Sequence, residues 1–70
     1  MEPRERFARN LKRRRLDKNL SQEALGHLAD LHLTEVSRLE RGGRDPQLAT
    51  IVKLSRALRI SVADLLDGVK

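Results

Sequence analysis

The sequence predicts an all-α fold of five helices, and three observations carry that expectation. Apolar residues recur at spacings of three and four in five separate segments. No segment alternates convincingly with the period of two that a half-buried strand needs. Residues 21–42, SQEALGHLADLHLTEVSRLERG, read as two short amphipathic helices around a tight turn, a helix-turn-helix arrangement.

The first helix is expected from Pro3, a residue suited to a first helical position, to about Lys18. Phe7, Ala8, Leu11 and Arg15 fall within one arc at 100° per residue, so an arginine stands in an apolar stripe and calls for a partner. The second helix opens at Ser21 as N-cap, carries Glu23 in its first turn and ends near Ala29, leaving Asp30 in the turn. The third runs from about His32 to Arg41, with Gly42 as a left-handed cap. Gly43, Arg44, Asp45 and Pro46 form a connecting loop. Leu48, Ile51, Val52, Leu54, Ser55 and Leu58 then mark a fourth helix with a wide buried face. Ser61 with Asp64 resembles a capping box and opens a short fifth helix through Val62, Leu65 and Leu66 that stops at Gly68.

Seventy residues make one small domain, residues 1–70, whose core supplies only roughly 3–5 kcal/mol. That leaves no room for a second domain or a deep catalytic cleft. No acid/base constellation, nucleophile with its base or phosphate-cradling glycine loop is present, so an interaction module is expected and not an enzyme. The chain has no Cys, and His27 and His32 lack acidic or histidine co-ligands, so no metal and no other cofactor is expected. They read as a surface residue and a helix-start residue. Residues 1–10 lack the apolar core of a signal peptide, and no apolar run approaches the roughly 20 residues that span a bilayer. A cytoplasmic location is expected.

Charge is unevenly placed. Residues 1–20 hold eight Lys/Arg against three acids, and the remaining fifty balance, so the N-terminal segment carries the whole formal net charge of +5. Such a segment is either a solvated helix face or a counterpart for a polyanion whose phosphates release counterions on binding. It lies beside a helix with a polar outer face. With Val36 as reference, Leu39 falls on the same side, whereas Thr34, Ser37, Arg38 and Arg41 fall about 100–200° away. A helix-turn-helix with a polar, basic-tipped second helix is what major-groove reading requires. Residues 4–18 alone would also suit a membrane surface, but that leaves the patterned core of residues 21–66 unexplained.

The residues that agree are of several physical kinds: Ser21-Gln22-Glu23, Leu25 and Ala29, Leu31, Val36-Ser37-Arg38-Leu39-Glu40-Arg41-Gly42, and Arg44-x-Pro46. Across residues 7–67 the chain resembles the lambda repressor/Cro-type (XRE-like) helix-turn-helix regulators of bacteria and their phages. The resemblance implies a compact five-helix bundle that binds double-stranded DNA, commonly as a homodimer on a pseudo-palindromic operator. It places Leu33, Thr34, Ser37 and Arg38 at base edges, with Gln22 contacting phosphate and sometimes base. Arg38 suits a bidentate contact to guanine, and Thr34 or Leu33 a thymine methyl; Leu33 has a core-edge position as its alternative. Ser21 at the helix N-terminus, Arg41, Gly43, Arg44 and, from the basic segment, Arg13 are expected at phosphates. The resemblance also pairs Arg15 with Glu40 in a structural ion bridge. Three positions depart from the family pattern: Asp30 replaces a usual glycine, His32 a usual serine or threonine, and Gly26 a usual alanine.

A recognition helix this short reads only about 4–5 base pairs, so two-fold pairing with half-sites about 34 Å apart is expected. Ile60, Val62, Leu66 and Val69 exceed what the small core obviously needs and are the candidate dimer contact, unless they finish the core. No small-molecule ligand is evident. An antitoxin-type or other protein-interaction module on the same fold is the alternative function.

Overall fold

The computed structural model describes residues 1–70: α1 (Pro3–Asp17), α2 (Gln22–Ala29), α3 (Leu33–Glu40), α4 (Leu48–Leu58) and α5 (Val62–Leu65), with no strand. Three starts are capped as their residues require. The Glu2 N–H donates to Glu5 Oε1 at 3.3 Å ahead of Pro3. Ser21 Oγ accepts the Ala24 N–H at 2.9 Å, and Ser61 and Asp64 form the expected reciprocal box, with bonds of 2.9 and 3.3 Å. His32 makes no side-chain cap bond, so α3 begins without the support a serine would give.

Four helices end on one device. Asn19, Asp30, Gly42 and Arg59 all adopt left-handed backbone, with φ of 56–70°. Each sends the following N–H back to a carbonyl five residues earlier: Leu20 to Arg15, Leu31 to Gly26, Gly43 to Arg38 and Ile60 to Ser55, at 2.8–3.2 Å. Leu20, Leu31 and Ile60 thereby tuck against the core. Asp30 holds the turn at a position where the resemblance implies glycine, as its tolerance of positive φ allows.

The core draws on every helix: Phe7 and Leu11, Leu25 and Ala29, Val36 and Leu39, Ile51, Leu54 and Leu58, and Leu65. Packing closes a ring in which α1 meets α3, α3 meets α2, α2 meets α4, α4 meets α5, and α5 returns to α1. α2 and α3 approach tightly at Gly26, where an added Cβ would sit 2.7 Å from the Leu31 carbonyl oxygen. In this chain the position thus has no room for a Cβ, where the resemblance implies alanine.

The α1–α5 closure is polar, which the sequence reading missed. Asn10, 2% exposed, donates from Nδ2 to the carbonyls of Leu65 and Asp67 at 3.0 and 2.8 Å, and Arg6 Nε donates to the Asp67 carbonyl at 3.0 Å. The available signal was Asn10 lying about 60° from Phe7 on the apolar side of α1. Ile60, Val62, Leu66 and Val69 are all half-buried and packed against the core. Part of their apolar surface is therefore used inside the domain, and the rest stays exposed.

Candidate nucleic-acid interface

α3 is anchored on one side and free on the other. Val36 and Leu39 are fully buried, while Thr34, Arg38 and Arg41 are exposed and Ser37 is half-buried. Leu33, left between two roles by the sequence, is 46% exposed and so lies outside the core. The outer face thus holds one exposed leucine, two hydroxyl side chains and two arginines.

The arginines near α3 differ in their engagement. Arg41 Nη1 donates to Ser37 Oγ at 2.7 Å, an i, i+4 pair. Arg44 Nη1 donates to Glu35 Oε1 at 3.0 Å across the loop, an approach that the sequence spacing did not reveal. Arg38 belongs to none of the chain's ion pairs, which join Arg6 to Asp67, Arg14 to Asp64, Arg15 to Glu40 and Arg44 to Glu35. Gly43 lies beside its stem, where a Cβ would meet Arg38 Cγ at 3.4 Å, an ordinary contact. Gly42, at φ +70°, is needed for its conformation.

Beneath this face lies the pair that the family resemblance implied. Arg15 Nε and Nη2 donate to Glu40 Oε2 and Oε1 at 2.6 and 2.9 Å, a bidentate bridge whose side chains are 9% and 3% exposed. The bond to Glu40 holds the Arg15 guanidinium above the usual arginine pKa, against the opposing effect of burial. Arg15 Nη1 donates onward to the Leu20 carbonyl at 2.8 Å. Gln22 Nε2 also donates to Glu40 Oε1, at 3.1 Å. Gln22 is therefore half-buried and tethered. Its amide oxygen and second N–H remain for other partners. One carboxylate consequently joins α1, α2 and α3 at the root of the presented face.

The basic segment divides into two sets. Arg6, Arg14 and Arg15 are ion-paired, whereas Arg4, Arg9, Lys12, Arg13 and Lys18 are exposed outside those pairs. Ser21 is exposed and uses its hydroxyl to cap α2. His27 and His32 line a small cleft at the turn with Asp30, but no group of three metal-ligating side chains forms. No helix is long and apolar enough to cross a membrane.

The family model described as Helix-turn-helix matches residues 11–65. The chain is 45% identical over 62 residues to Control protein C.BamHI of Bacillus amyloliquefaciens, covering 87% of this chain and 76% of that protein. It is 39% identical over 66 residues to Control protein C.SmaI of Serratia marcescens, covering 94% and 79% respectively. Among solved structures it superposes on the restriction-modification controller protein C.AhdI from Aeromonas hydrophila with a TM-score of 0.86. That match has 39% sequence identity and covers 89% of this chain and 94% of the other.

Proposed function

The chain belongs to the helix-turn-helix family, and from that premise we propose that it is a transcriptional regulator that binds double-stranded DNA sequence-specifically, laying α3 in the major groove. The observation that carries this reading is the exposed, unpaired Arg38 on a helix whose opposite side is locked by Val36, Leu39 and the Arg15–Glu40 bridge. A base-reading side chain has to be free while its backbone is fixed.

In this reading Arg38 forks onto a guanine, and Thr34 and Leu33 offer methyl groups to thymine. Ser37 and the free half of the Gln22 amide supply further polar contacts. Ser21 and Gln22 bring phosphate to the N-terminus of α2, and Arg13, Arg41, Gly43 and Arg44 hold the backbone on either side. The Arg44–Glu35 pair, with side chains 39% and 24% exposed, is worth about 0–1 kcal/mol and yields readily to a phosphate. Two copies bind a pseudo-palindromic operator. The controller role of C.AhdI and the control role of C.BamHI support the biological form of the proposal, regulation of restriction-modification genes.

Selection of bound duplexes from a random pool tests the proposal. The expected product is a two-fold-related pair of short half-sites spaced by about one helical turn. Recovery of unenriched sequence would contradict it.

A further inference from the structure

We infer that the groove between the C-terminal halves of α2 and α4 is a docking surface for an acidic amphipathic helix of a partner protein. The groove is an open depression of about 380 Å³, with Leu28, Ala29 and Ala57 as its apolar lining and Lys53, Arg56 and Arg59, with Asp30, as its charged lining. Leu28 is 57% exposed although the helix that carries it is packed on its other side through Leu25 and Ala29. The three cations are exposed and belong to none of the chain's four ion pairs. Asp30, the single acid on the lining, pairs with none of them.

Charge and shape together select the occupant. An apolar stripe flanked by carboxylates matches an apolar floor flanked by cations, the arrangement by which a helix seats in a groove. Favourable placement at the negative end of α4 accounts in part for Arg56 and Arg59. It does not account for Lys53 a turn earlier, or for the exposed leucine facing them across the groove. Duplex DNA offers the cations phosphates but offers Leu28 and Ala57 no apolar counterpart. Leu28 also lies six residues, about 9 Å along the axis, beyond Gln22 at the phosphate-binding end of α2. A second copy of this chain is a poor match: it carries a net +5, and four of its ten acids, Glu35, Glu40, Asp64 and Asp67, are held in its own ion pairs.

The test uses the isotopically labelled full chain and a synthetic helical peptide with one leucine face flanked by glutamates, set against the same peptide with lysine for every glutamate. The glutamate peptide is expected to shift the amide signals of residues 28–29 and 53–59. The lysine peptide is expected to leave them in place. Lys53→Glu with Arg56→Glu should weaken the glutamate peptide by about tenfold or more, and Leu28→Ser should weaken it while leaving charge unchanged. All three positions are exposed, and thermal unfolding of each variant verifies the fold. Binding to a random-sequence duplex is expected to be the same for Leu28→Ser and wild type. A footprint on α3 in place of the groove would overturn the proposal, as would indifference to the three substitutions. A loss of duplex binding by Lys53→Glu/Arg56→Glu as large as its loss of peptide would also overturn it, assigning the cations to phosphate.

Discussion

At the residue scale the decisive group is Glu40, which sits in α3 yet faces inward to meet Arg15 and Gln22. The bridge is nearly sealed from water, so deleting either partner strands a buried charge at a cost of about 3–5 kcal/mol. Arg15→Ala and Glu40→Ala are each expected to show that loss in denaturant titration, with the double variant costing less than the sum. Additive losses would contradict the pairing. A raised Arg15 pKa gives stability that is fully present below the ordinary arginine value and lost only as pH climbs through the raised one. Between roughly pH 7 and 10 this residue therefore contributes no pH dependence. Asn10→Ala, which leaves the Leu65 and Asp67 carbonyls without their donor, should cost about 1–3 kcal/mol. Arg15 was legible because an arginine on an apolar stripe is anomalous. Asn10 was not, because a polar residue at the margin of a stripe resembles ordinary surface until the end of α5 is laid across it.

The elements are specified chiefly by how their ends are made. Ser21, Ser61 with Asp64, Gly42 and Asp30 announce their caps by residue type, and the helix limits follow them closely. Arg59 gives no such announcement, yet it adopts φ +56° because Ile60 must turn in to the core. Left-handed backbone strains a branched-chain-free arginine less than valine, but still by about 1–2 kcal/mol. Arg59→Gly should therefore raise stability by about 0.5–1 kcal/mol in thermal or denaturant unfolding, the gain being partly offset by glycine's greater freedom when unfolded. No gain would show that the turn is unstrained. Gly26 makes the opposite case: Gly26→Val drives a side chain into the Leu31 carbonyl and should cost about 2–3 kcal/mol. The five helices were readable because their apolar periodicity was strong. The tightness of the α2–α3 approach was not, because it depends on the crossing of two elements.

The whole molecule measures 28 × 22 × 21 Å, less than the roughly 34 Å between half-sites one helical turn apart, so a single copy is too small to span two such half-sites. Sedimentation at micromolar concentration should find two copies per operator duplex, and one copy at saturation would remove the dimeric reading. For the four apolar residues around α5 the sequence left two roles open, core and contact, since the domain's demand for core is set by all five helices together. The outer face of α3 was legible by angle, whereas the ties from Arg44 to Glu35 and from Gln22 to Glu40 depend on the folded loops. The central claim is that α3 reads bases through Arg38 while its neighbours hold phosphate. It is tested most directly by titrating the selected operator and its single-base variants with Arg38→Ala and Arg44→Ala at several salt concentrations. Arg38→Ala should lose about 1–3 kcal/mol on the operator and become indifferent at one base pair per half-site. Arg44→Ala should weaken all sequences alike and flatten the salt slope by about one unit. An Arg38→Ala protein with the wild-type base preference at every position would contradict the account.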